Sequence, residues 1–399
     1  MPKTASSPKS IYYLCISLRL CEYSIVPRKG KAPAGKDGAH PDGPVTLKDL
    51  AAYLGLSPTT LSLVLNSSPG SEAIPQETQK RVIAAARRFN YRPNFVARSL
   101  RARRSYSVGV MVPELSEGYA SLVVAGIEDK LMERGYMYLA TSHRHSKRQL
   151  ELLPRLLSER NVEGLILVDT PCTMNVVLPI VAVSGHSEEE GVTNVALNHE
   201  RAGQLGIAHL YALGHRRIAV MKGQEFSSDT EVRWQAIKRA ARDHGIPIDP
   251  SLVVQLVGDS PSPETGYCAA HELMNRNVPF TALFAFSDVS AFGAIRAFQE
   301  RGLPVPQAVS VIGFDDILGA AYHIPALTTI RQPLRRMGSL AAETLLQRIE
   351  SNGAVIASPL EVEPELIVRE STTVVAASIA RPLPQPAAGP NGFGKQAQE

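Results

Sequence analysis

The feature that most constrains the fold is a regular alternation of two kinds of segment after Tyr106. Short runs rich in β-branched and aliphatic residues are separated by longer stretches with helical spacing. The strand candidates are Val108–Val112, Tyr138–Thr141, Gly164–Val168, Ile180–Ser184, Arg217–Met221, Ala282–Phe286 and Val309–Gly313. The helix candidates are Leu122–Arg134, Gln149–Glu159, Glu200–Leu213, Val232–His244 and Ser290–Gln299. This rhythm predicts an α/β fold of parallel sheets covered by helices, with ligands bound beyond the carboxyl ends of the strands.

A different pattern precedes this region. Residues 46–54 and 58–66 have the spacing of two short helices, and Gly55-Leu56-Ser57 between them makes a tight turn. Two short helices joined by a turn with glycine are typical of a helix-turn-helix, whose second helix usually enters the major groove of DNA. A third helical segment at Pro75–Asn90 completes a small three-helix core.

The second of these helices has a polar face. Leu61, Val64 and Leu65 share the inner face, which leaves small hydroxyl side chains pointing outward. These outward residues, Thr59, Thr60 and Ser62, are suited to hydrogen bonds with base edges or phosphates.

The charge is divided unevenly along the chain. The net charge is only +4, but residues 1–105 contain 17 Lys and Arg against 6 Asp and Glu, whereas the rest contains 25 against 32. A basic head on an acidic body indicates a domain that binds a polyanion, attached to a domain with another task.

Other classes of protein find little support in the sequence. The four cysteines form no CxxC pair, which argues against a zinc site or a disulfide scaffold, and we expect no metal and no cofactor. The sequence contains no P-loop, GxSxG or HExxH motif, so we expect no enzymatic activity. The apolar run at residues 11–26 is interrupted by Arg19 and Glu22 and is too short to span a bilayer, so we expect a cytoplasmic protein.

The head resembles the LacI/GalR (lactose/galactose repressor) family of transcriptional regulators. The matching pieces are Val45–Ala51, Gly55–Ser57, Asn90–Asn94 and Ala97–Leu100. The resemblance implies that residues 94–101 are a hinge helix that folds on DNA and that Leu100 wedges into a minor-groove step. With the polar face of the second helix, it gives a set of expected DNA contacts: Thr46, Ser57, Pro58, Thr59, Thr60, Ser62, Leu63, Asn66, Tyr91, Asn94, Ala97, Leu100 and Arg101.

The head also departs from the family pattern. Leu63 stands where many members carry a base-reading Arg, so guanine readout by a bidentate Arg is not expected there. The loop Ser67–Ile74 is longer than in the lactose repressor, and Pro75 replaces the usual Ser or Thr cap. The operator sequence therefore cannot be transferred from the family.

The resemblance continues into the body and implies a two-lobed fold like that of periplasmic sugar-binding proteins, with three crossovers and an effector in the cleft. The matching pieces are Ala212–Ala219, Phe284–Asp288, Val309–Asp316 and Pro325–Ile330. Arg233 and Asp315 occupy the family's ligand positions, where a guanidinium and a carboxylate fix the hydroxyls of a polyol. Ser287 replaces the amide common in the family, and Tyr119, Tyr322 and Gln332 are candidates for the pocket wall.

These patterns divide the chain into an extension and linker (1–44), a helix-turn-helix domain (45–93), a hinge helix and linker (94–105), a two-lobed effector and dimerisation domain (106–375) and a tail (376–399). They predict a homodimeric repressor that binds double-stranded operator DNA under the control of a small molecule, with carbohydrate as the class expected from the family. Two alternatives stay open: the body binds a protein co-regulator, or the chain is a sugar-binding module whose head has lost operator function.

Overall fold

The computed structural model of the chain describes residues 45–66, 68, 70–91, 99, 104–115, 118–172, 177–185, 191–258, 262–351, 353–354 and 359–375. Four expected DNA contacts, Asn94, Ala97, Leu100 and Arg101, lie outside these residues, as do most of the predicted hinge helix and both terminal segments. The chain divides into two compact units, the head (Met1–Asn94) and the body (Phe95–Glu399). No helix of the described residues is both long and apolar enough to cross a membrane.

The head contains three helices, α1 (Leu47–Leu54), α2 (Pro58–Leu65) and α3 (Gln76–Arg88). Its small core consists of buried residues from all three helices: Leu50, Ala51, Leu61, Val64, Val82, Ala85 and Ala86. The turn between α1 and α2 depends on Gly55, whose φ of 65° is left-handed and favours glycine. The predicted third helix is confirmed, although it begins one residue after Pro75, which has no hydroxyl to cap it.

The body contains two six-stranded sheets, which define its two lobes. The sheet of the first lobe has the order β11-β5-β4-β3-β1-β2 and that of the second lobe has the order β12-β10-β9-β8-β6-β7. The strands of the first lobe are β1 (Ser107–Val112), β2 (Met137–Ser142), β3 (Leu165–Val168), β4 (Ile180–Val183), β5 (Val192–Leu197) and β11 (Leu360–Val362). Those of the second lobe are β6 (Ile218–Lys222), β7 (Val253–Gln255), β8 (Ala282–Phe284), β9 (Ser310–Asp315), β10 (Thr328–Arg331) and β12 (Glu365–Ile367).

The neighbouring strands of both sheets run parallel, except that β12 pairs antiparallel with β10. Helices α4 (Tyr119–Glu133), α5 (Lys147–Glu159) and α11 (Leu334–Glu350) belong to the first lobe. Helices α6 (His199–Ala212), α7 (Asp229–Asp243), α8 (Pro263–Asn275), α9 (Asp288–Glu300) and the short α10 (Leu318–Tyr322) belong to the second. This is the α/β architecture that the sequence alternation predicts.

The chain passes three times between the lobes, between β5 and α6, between β10 and α11, and between β11 and β12. The two-lobed body with three crossovers that the resemblance implies is therefore present. Each predicted strand also appears, but Ser184 and Phe286 lie beyond the ends of theirs. Ser184 has a left-handed φ of 56°, which a continuing strand does not permit.

Each lobe contains a helix pair that crosses on glycines. A Cβ atom on Gly126 of α4 would overlap the carbonyl oxygen of Arg335 in α11, and one on Gly293 of α9 would overlap that of Pro263 in α8. Only glycine permits these close approaches. In the second lobe the crossing joins the first turn of α8 to the second turn of α9, close to both helix N-termini.

Candidate functional site

The exposed side of α2 is the candidate DNA-binding surface of the head. Ser57, Pro58 and Thr59 are exposed, whereas Thr60, Ser62, Leu63 and Asn66 are half-buried. Several of these polar groups already hydrogen-bond within the helix: the Thr60 amide donates to Ser57 Oγ at 3.0 Å, and Asn66 Nδ2 donates to the Ser62 carbonyl at 2.8 Å. Ser57 is thus the N-cap of α2, and Thr59 is the most available hydrogen-bonding side chain on its first turn.

Thr46 and Tyr91 have structural contacts in the head. The Thr46 amide donates to Asp49 Oδ2 at 2.9 Å and the Asp49 amide donates to Thr46 Oγ1 at 3.3 Å, which is a capping box at the start of α1. Tyr91 is half-buried against the core of the head. Both residues therefore position the helices, and their predicted contacts with DNA stay a prediction.

A cleft lies in the body where the carboxyl ends of β1, β3, β6, β7, β8 and β9 meet the first turns of α4, α7, α8 and α9. We define the cleft by its lining residues: Pro113, Glu114, Tyr119, Ala120, His145, Asp169, Gln224, Phe226, Ser227, Asp229, Arg233, Leu256, Ser262, Thr265, Phe286, Ser287, Val289, Ser290 and Asp315. Both lobes contribute. The location matches the general rule that ligands of open parallel sheets bind beyond the carboxyl ends of the strands.

Arg233 is held firmly in the wall of this cleft. Its side chain is only 4% exposed, Nη2 lies 3.1 Å from Asp229 Oδ2, and Nη1 donates to the carbonyl oxygen of Phe286. The guanidinium carbon lies 3.6 Å from the ring centre of Phe314 and 4.3 Å from that of Phe286. Its Nε has no hydrogen-bond partner among the described residues. The side chain is therefore preorganised, and its Nε–H is a donor that another molecule can use.

Asp315 ends β9 and is buried at the floor of the cleft. Its Oδ1 accepts a hydrogen bond of 2.6 Å from Gln332 Nε2. Burial raises the pKa of this carboxyl to about 7, although Arg233 and Gln332 act in the opposite direction. Asp315 also has a φ of 108°, an uncommon conformation for a residue with a side chain.

Asp169 follows β3. It is one of two carboxylates, with Glu114, that the first lobe contributes to the cleft. Its Oδ1 accepts hydrogen bonds from the amide and the hydroxyl of Ser228, at 3.2 and 3.1 Å, and Ser228 belongs to the second lobe. Burial, together with the nearby charge of Asp229, raises the pKa of Asp169 to about 6. The bonds to Ser228 link the two lobes across the cleft.

Two further contacts join the lobes. Ser228 Oγ also donates to the carbonyl oxygen of Ser184, and the ring of His145 lies on that of Phe226 with centroids 3.6 Å apart. His145 belongs to the first lobe and Phe226 to the second. The structure thus has the two lobes in direct contact around the cleft.

The remaining predicted residues fall in three kinds of position. Tyr119 and Ser287 line the cleft; the Tyr119 hydroxyl donates to Ser184 Oγ at 2.7 Å, and Ser287 caps α9. Gln332 is buried behind Asp315 and is not among the lining residues. Tyr322, expected at the pocket wall, is instead 77% exposed and outside the lining, because the five-residue helix α10 buries only Ala320.

Sequence reasoning missed several polar lining residues, among them Asp169, Asp229, Gln224 and His145. Two of them had a signal. Asp169 directly follows an apolar strand, and Asp229 lies four residues before Arg233, the spacing of neighbours on one helix face. Among the described residues no cluster of three or more His, Cys, Asp or Glu side chains is arranged to hold a metal ion.

Comparison with known proteins gives consistent matches for both units. Residues 46–94 match the family model "Bacterial regulatory proteins, lacI family", and residues 207–372 match "Periplasmic binding protein-like domain". The HTH-type transcriptional repressor PurR of Photorhabdus laumondii is 34% identical over 336 residues, covering 82% of this chain and 96% of the relative. PurR of Haemophilus influenzae is 30% identical over 337 residues, covering 82% and 98%.

Solved structures show the same fold. A Lac repressor dimer bound to operator and the anti-inducer ONPF has a TM-score of 0.72 at 28% identity, covering 83% of this chain and 100% of that chain. A complex of the transcriptional regulator CelR with cellobiose has a TM-score of 0.61 at 28% identity, covering 82% and 99%. The similarity therefore extends through head and body.

Proposed function

Because this chain belongs to the LacI family of bacterial regulatory proteins, we propose that it is a cytoplasmic transcriptional repressor that binds operator DNA under the control of a small molecule. The observation that carries the proposal is a cleft with buried charged groups in a chain that also contains a helix-turn-helix. Burying a guanidinium and carboxylates is costly unless they are paired, and a polar ligand supplies further partners. Both PurR relatives are named as transcriptional repressors.

The proposed ligand makes contact with both lobes. Tyr119 and Asp169 line the cleft from the first lobe, and Asp229, Arg233 and Asp315 line it from the second. A ligand that contacts both lobes binds more tightly at one separation of the lobes than at others. This difference in affinity shifts the population of molecules toward that separation. If the shift weakens DNA binding, DNA weakens ligand binding by the same factor.

The class of ligand that we propose is a small polyhydroxy molecule. Asp315 and Arg233 supply an acceptor and a donor for neighbouring hydroxyls, and Phe226, Phe286 and Leu256 supply apolar surface for the faces of a ring. The neighbouring CelR structure contains cellobiose, a carbohydrate. Carbohydrate thus stays the first class to test.

We propose that the chain acts as a homodimer on a pseudo-palindromic operator, since two heads related by a twofold axis match a twofold site. The neighbouring Lac repressor structure is a dimer bound to operator. The second lobe has large apolar side chains on its surface that a second copy would cover: Leu318, Tyr322 and Ile324 are 79%, 77% and 85% exposed. We propose this as the role of Tyr322, in place of a pocket wall.

The experiment is a fluorescence-anisotropy titration of the full chain on DNA from the gene's own upstream region, with and without a panel of sugars. We expect the chain to bind this DNA tightly and one sugar of the panel to change the dissociation constant for DNA. Absence of specific binding at low salt would overturn operator recognition and favour a sugar-binding module. Specific binding that no small molecule alters would favour a protein co-regulator.

Variants separate the two units in the same assay. Thr59→Ala removes an exposed hydroxyl from α2 and is expected to weaken operator binding while ligand binding persists. Arg233→Ala is expected to abolish the ligand response while DNA binding persists. Leu100→Ala tests the proposed minor-groove wedge: equal operator affinity in this variant and the native chain contradicts that role.

A further inference from the structure

The cleft contains more negative than positive charge. Asp169, Asp229 and Asp315 all line it, and among its described lining residues the only Lys or Arg is Arg233. Asp229 and Arg233 form an ion pair at 3.1 Å, and Asp229 Oδ1 also lies 3.3 Å from Nε2 of the buried His199. Asp229 is thus balanced by groups of the protein itself, which leaves Asp169 and Asp315 to account for among the lining aspartates, beside the half-buried Glu114.

Arg233 is not positioned to balance the other two carboxylates as well. Its Nη1 and Nη2 are directed to the Phe286 carbonyl and to Asp229, and its planar group lies on Phe314. Within the described part of the chain, neither Asp169 nor Asp315 forms an ion pair within 4 Å. Their hydrogen-bond donors are neutral groups, from Ser228 for Asp169 and from Gln332 for Asp315.

The raised pKa values of these two carboxyls agree with the geometry. Burial raises the pKa of Asp169 to about 6 and that of Asp315 to about 7, and the negative charge of Asp229 adds to both shifts. A carboxylate in an ion pair has the opposite shift. At Asp315 burial outweighs the more distant positive charge of Arg233, and the shift of Asp169 comes from burial and the negative charge of Asp229.

An independent feature of the cleft also indicates a ligand. Gln224 lines the cleft, is only 4% exposed, and its Nε2 has no hydrogen-bond partner among the described residues. A buried amide donor without an acceptor is unfavourable. A ligand oxygen in the cleft supplies that acceptor.

We propose that the ligand of this cleft is a small polyhydroxy amine, whose protonated amino group is balanced by Asp169 and Asp315 and whose oxygen accepts from Gln224. The inference rests on the proposed function, since it names the ligand class of the same cleft. Burying the amine is favourable because its charge offsets the negative charge of Asp315, which is buried, and of Asp169, which is half-buried.

The test compares molecules that share a skeleton and differ in charge. The probes are D-glucosamine, D-glucose and D-glucuronate, and D-galactosamine, D-galactose and D-galacturonate. Binding of each to the full chain is measured by calorimetry and thermal shift near neutral pH. We expect the amine of at least one triplet to bind about tenfold more tightly than its neutral partner, the size of one charge-assisted hydrogen bond.

Variants locate the effect. Asp315→Asn and Asp169→Asn keep the shape and remove the charge, and each is expected to reduce the preference for the amine about tenfold. Asp243→Asn removes an exposed carboxylate at the end of α7 and is the matched control, with the preference unchanged. Far-ultraviolet circular dichroism tests whether each variant is folded. If a variant does not fold, the comparison of each amine with its neutral and acidic partners on the native chain still tests the proposal.

The proposal is overturned if in no triplet the amine binds more tightly than its neutral and acidic partners, or if no amine in the panel binds at millimolar concentration. Operator binding distinguishes this failure from failure of the proposed function. A neutral sugar that binds and changes operator affinity overturns the amine and keeps the ligand-controlled repressor. An amine that binds without changing operator affinity supports the ligand class and contradicts control of DNA binding.

Discussion

The two lobes of the body share one architecture and differ in what they bring to the cleft. Each has a six-stranded sheet whose outermost strand, β11 or β12, arrives from the far end of the chain. Each also has a helix pair that crosses on glycines, α4 with α11 in the first lobe and α8 with α9 in the second. Because the two lobes share this packing, the same substitution can be made in each lobe and its effects compared.

The difference lies at the cleft. The second lobe provides Gln224, Asp229, Arg233 and Asp315, whereas the first lobe provides Asp169, Glu114 and mostly uncharged surface. The glycine crossing of the second lobe joins the first turn of α8, which lines the cleft, to the second turn of α9, one turn after the lining residues Val289 and Ser290. We infer that the second lobe holds the ligand-recognition groups rigidly, and that the first lobe mainly closes over them.

The largest effects are expected at the glycine crossings. Gly126→Ala and Gly293→Ala each place a Cβ atom against a backbone carbonyl that cannot move alone. Each is expected to lower the free energy of unfolding by about 3 kcal/mol or more. Only the Gly293 variant is expected to weaken ligand binding at temperatures where both are folded, because its crossing positions lining residues of the cleft.

Chemical denaturation measures the loss of stability and calorimetry measures ligand binding. Gly135→Ala is the control: it has open space around it and a φ of 73°, so it introduces backbone strain of about 1 kcal/mol without a clash. Equal losses of ligand binding in the two crossing variants would contradict the division of roles between the lobes.

A second comparison concerns the buried charge in each lobe. In the first lobe Arg348 is 3% exposed and donates to the carbonyls of Ile180 and Gly191, at 2.5 and 2.7 Å. In the second lobe Asp288 is fully buried and accepts from Thr329 Oγ1 and the Ile317 amide, at 2.5 and 2.8 Å. The lobes thus use side chains of opposite kind, a donor in the first and an acceptor in the second, to satisfy buried backbone and hydroxyl groups.

Arg348→Met leaves two buried carbonyls without donors and is expected to cost about 3 kcal/mol. Asp288→Asn keeps one acceptor oxygen and is expected to cost less, about 2 kcal/mol, because burial already raises the pKa of Asp288 well above its usual range and disfavours its charge. Urea denaturation of both variants measures which one loses more free energy of unfolding. A larger loss for Asp288→Asn than for Arg348→Met would contradict this explanation.

The third prediction concerns pH. Asp169 and Asp315 have folded pKa values of about 6 and 7, above the usual value for an unfolded Asp, so the folded chain binds these protons more tightly. Their contribution to stability is present below the unfolded pKa and is lost as pH rises through 6 and 7. The free energy of unfolding of the ligand-free chain is therefore expected to fall between pH 5 and pH 8.

Asn variants of the two aspartates show which lobe causes this fall in the free energy of unfolding with pH. Asp315 is influenced by Arg233, Gln332 and Asp229, and Asp169 by Asp229 and Ser228. Asp315→Asn is expected to raise the free energy of unfolding at pH 8 by about 2 kcal/mol relative to its effect at pH 5. Asp169→Asn is expected to act in the same direction at lower pH. Parallel pH profiles of native chain and variants would contradict the assignment.

The sequence predicted the helix-turn-helix and the seven candidate strands well, because both depend on local spacing. It missed β5, β7, β10, β11 and β12. Three of these have only three residues, and β12 pairs antiparallel at an edge, so none shows a long apolar run. Helix α11 was missed as well, and its N-cap is Pro333, which makes no side-chain hydrogen bond that would mark its start.

The site was predictable only in part. Arg233 and Asp315 were found from a resemblance in sequence, and both line the cleft. Asp169 and His145 lie in loops, and only the pairing of β1 with β2 and β3 brings these loops to one edge of the sheet. Such long-range placement is invisible to local periodicity. The same limit explains Tyr322, whose side chain is directed outward by a helix too short to be recognised.

The smallest expected effect on stability tests how the lobes are held together. Ser228 bonds to Asp169 and to the Ser184 carbonyl across the cleft. Ser228→Ala removes the hydroxyl bonds and keeps the amide bond, so we expect a loss of about 1 kcal/mol. The lobes are expected to separate more readily without ligand, which small-angle scattering detects as a larger radius of gyration. Ser121→Ala, which removes a bond within α4, is the matched control. If both variants scatter alike, closure depends on the aromatic contact of His145 with Phe226 and not on Ser228.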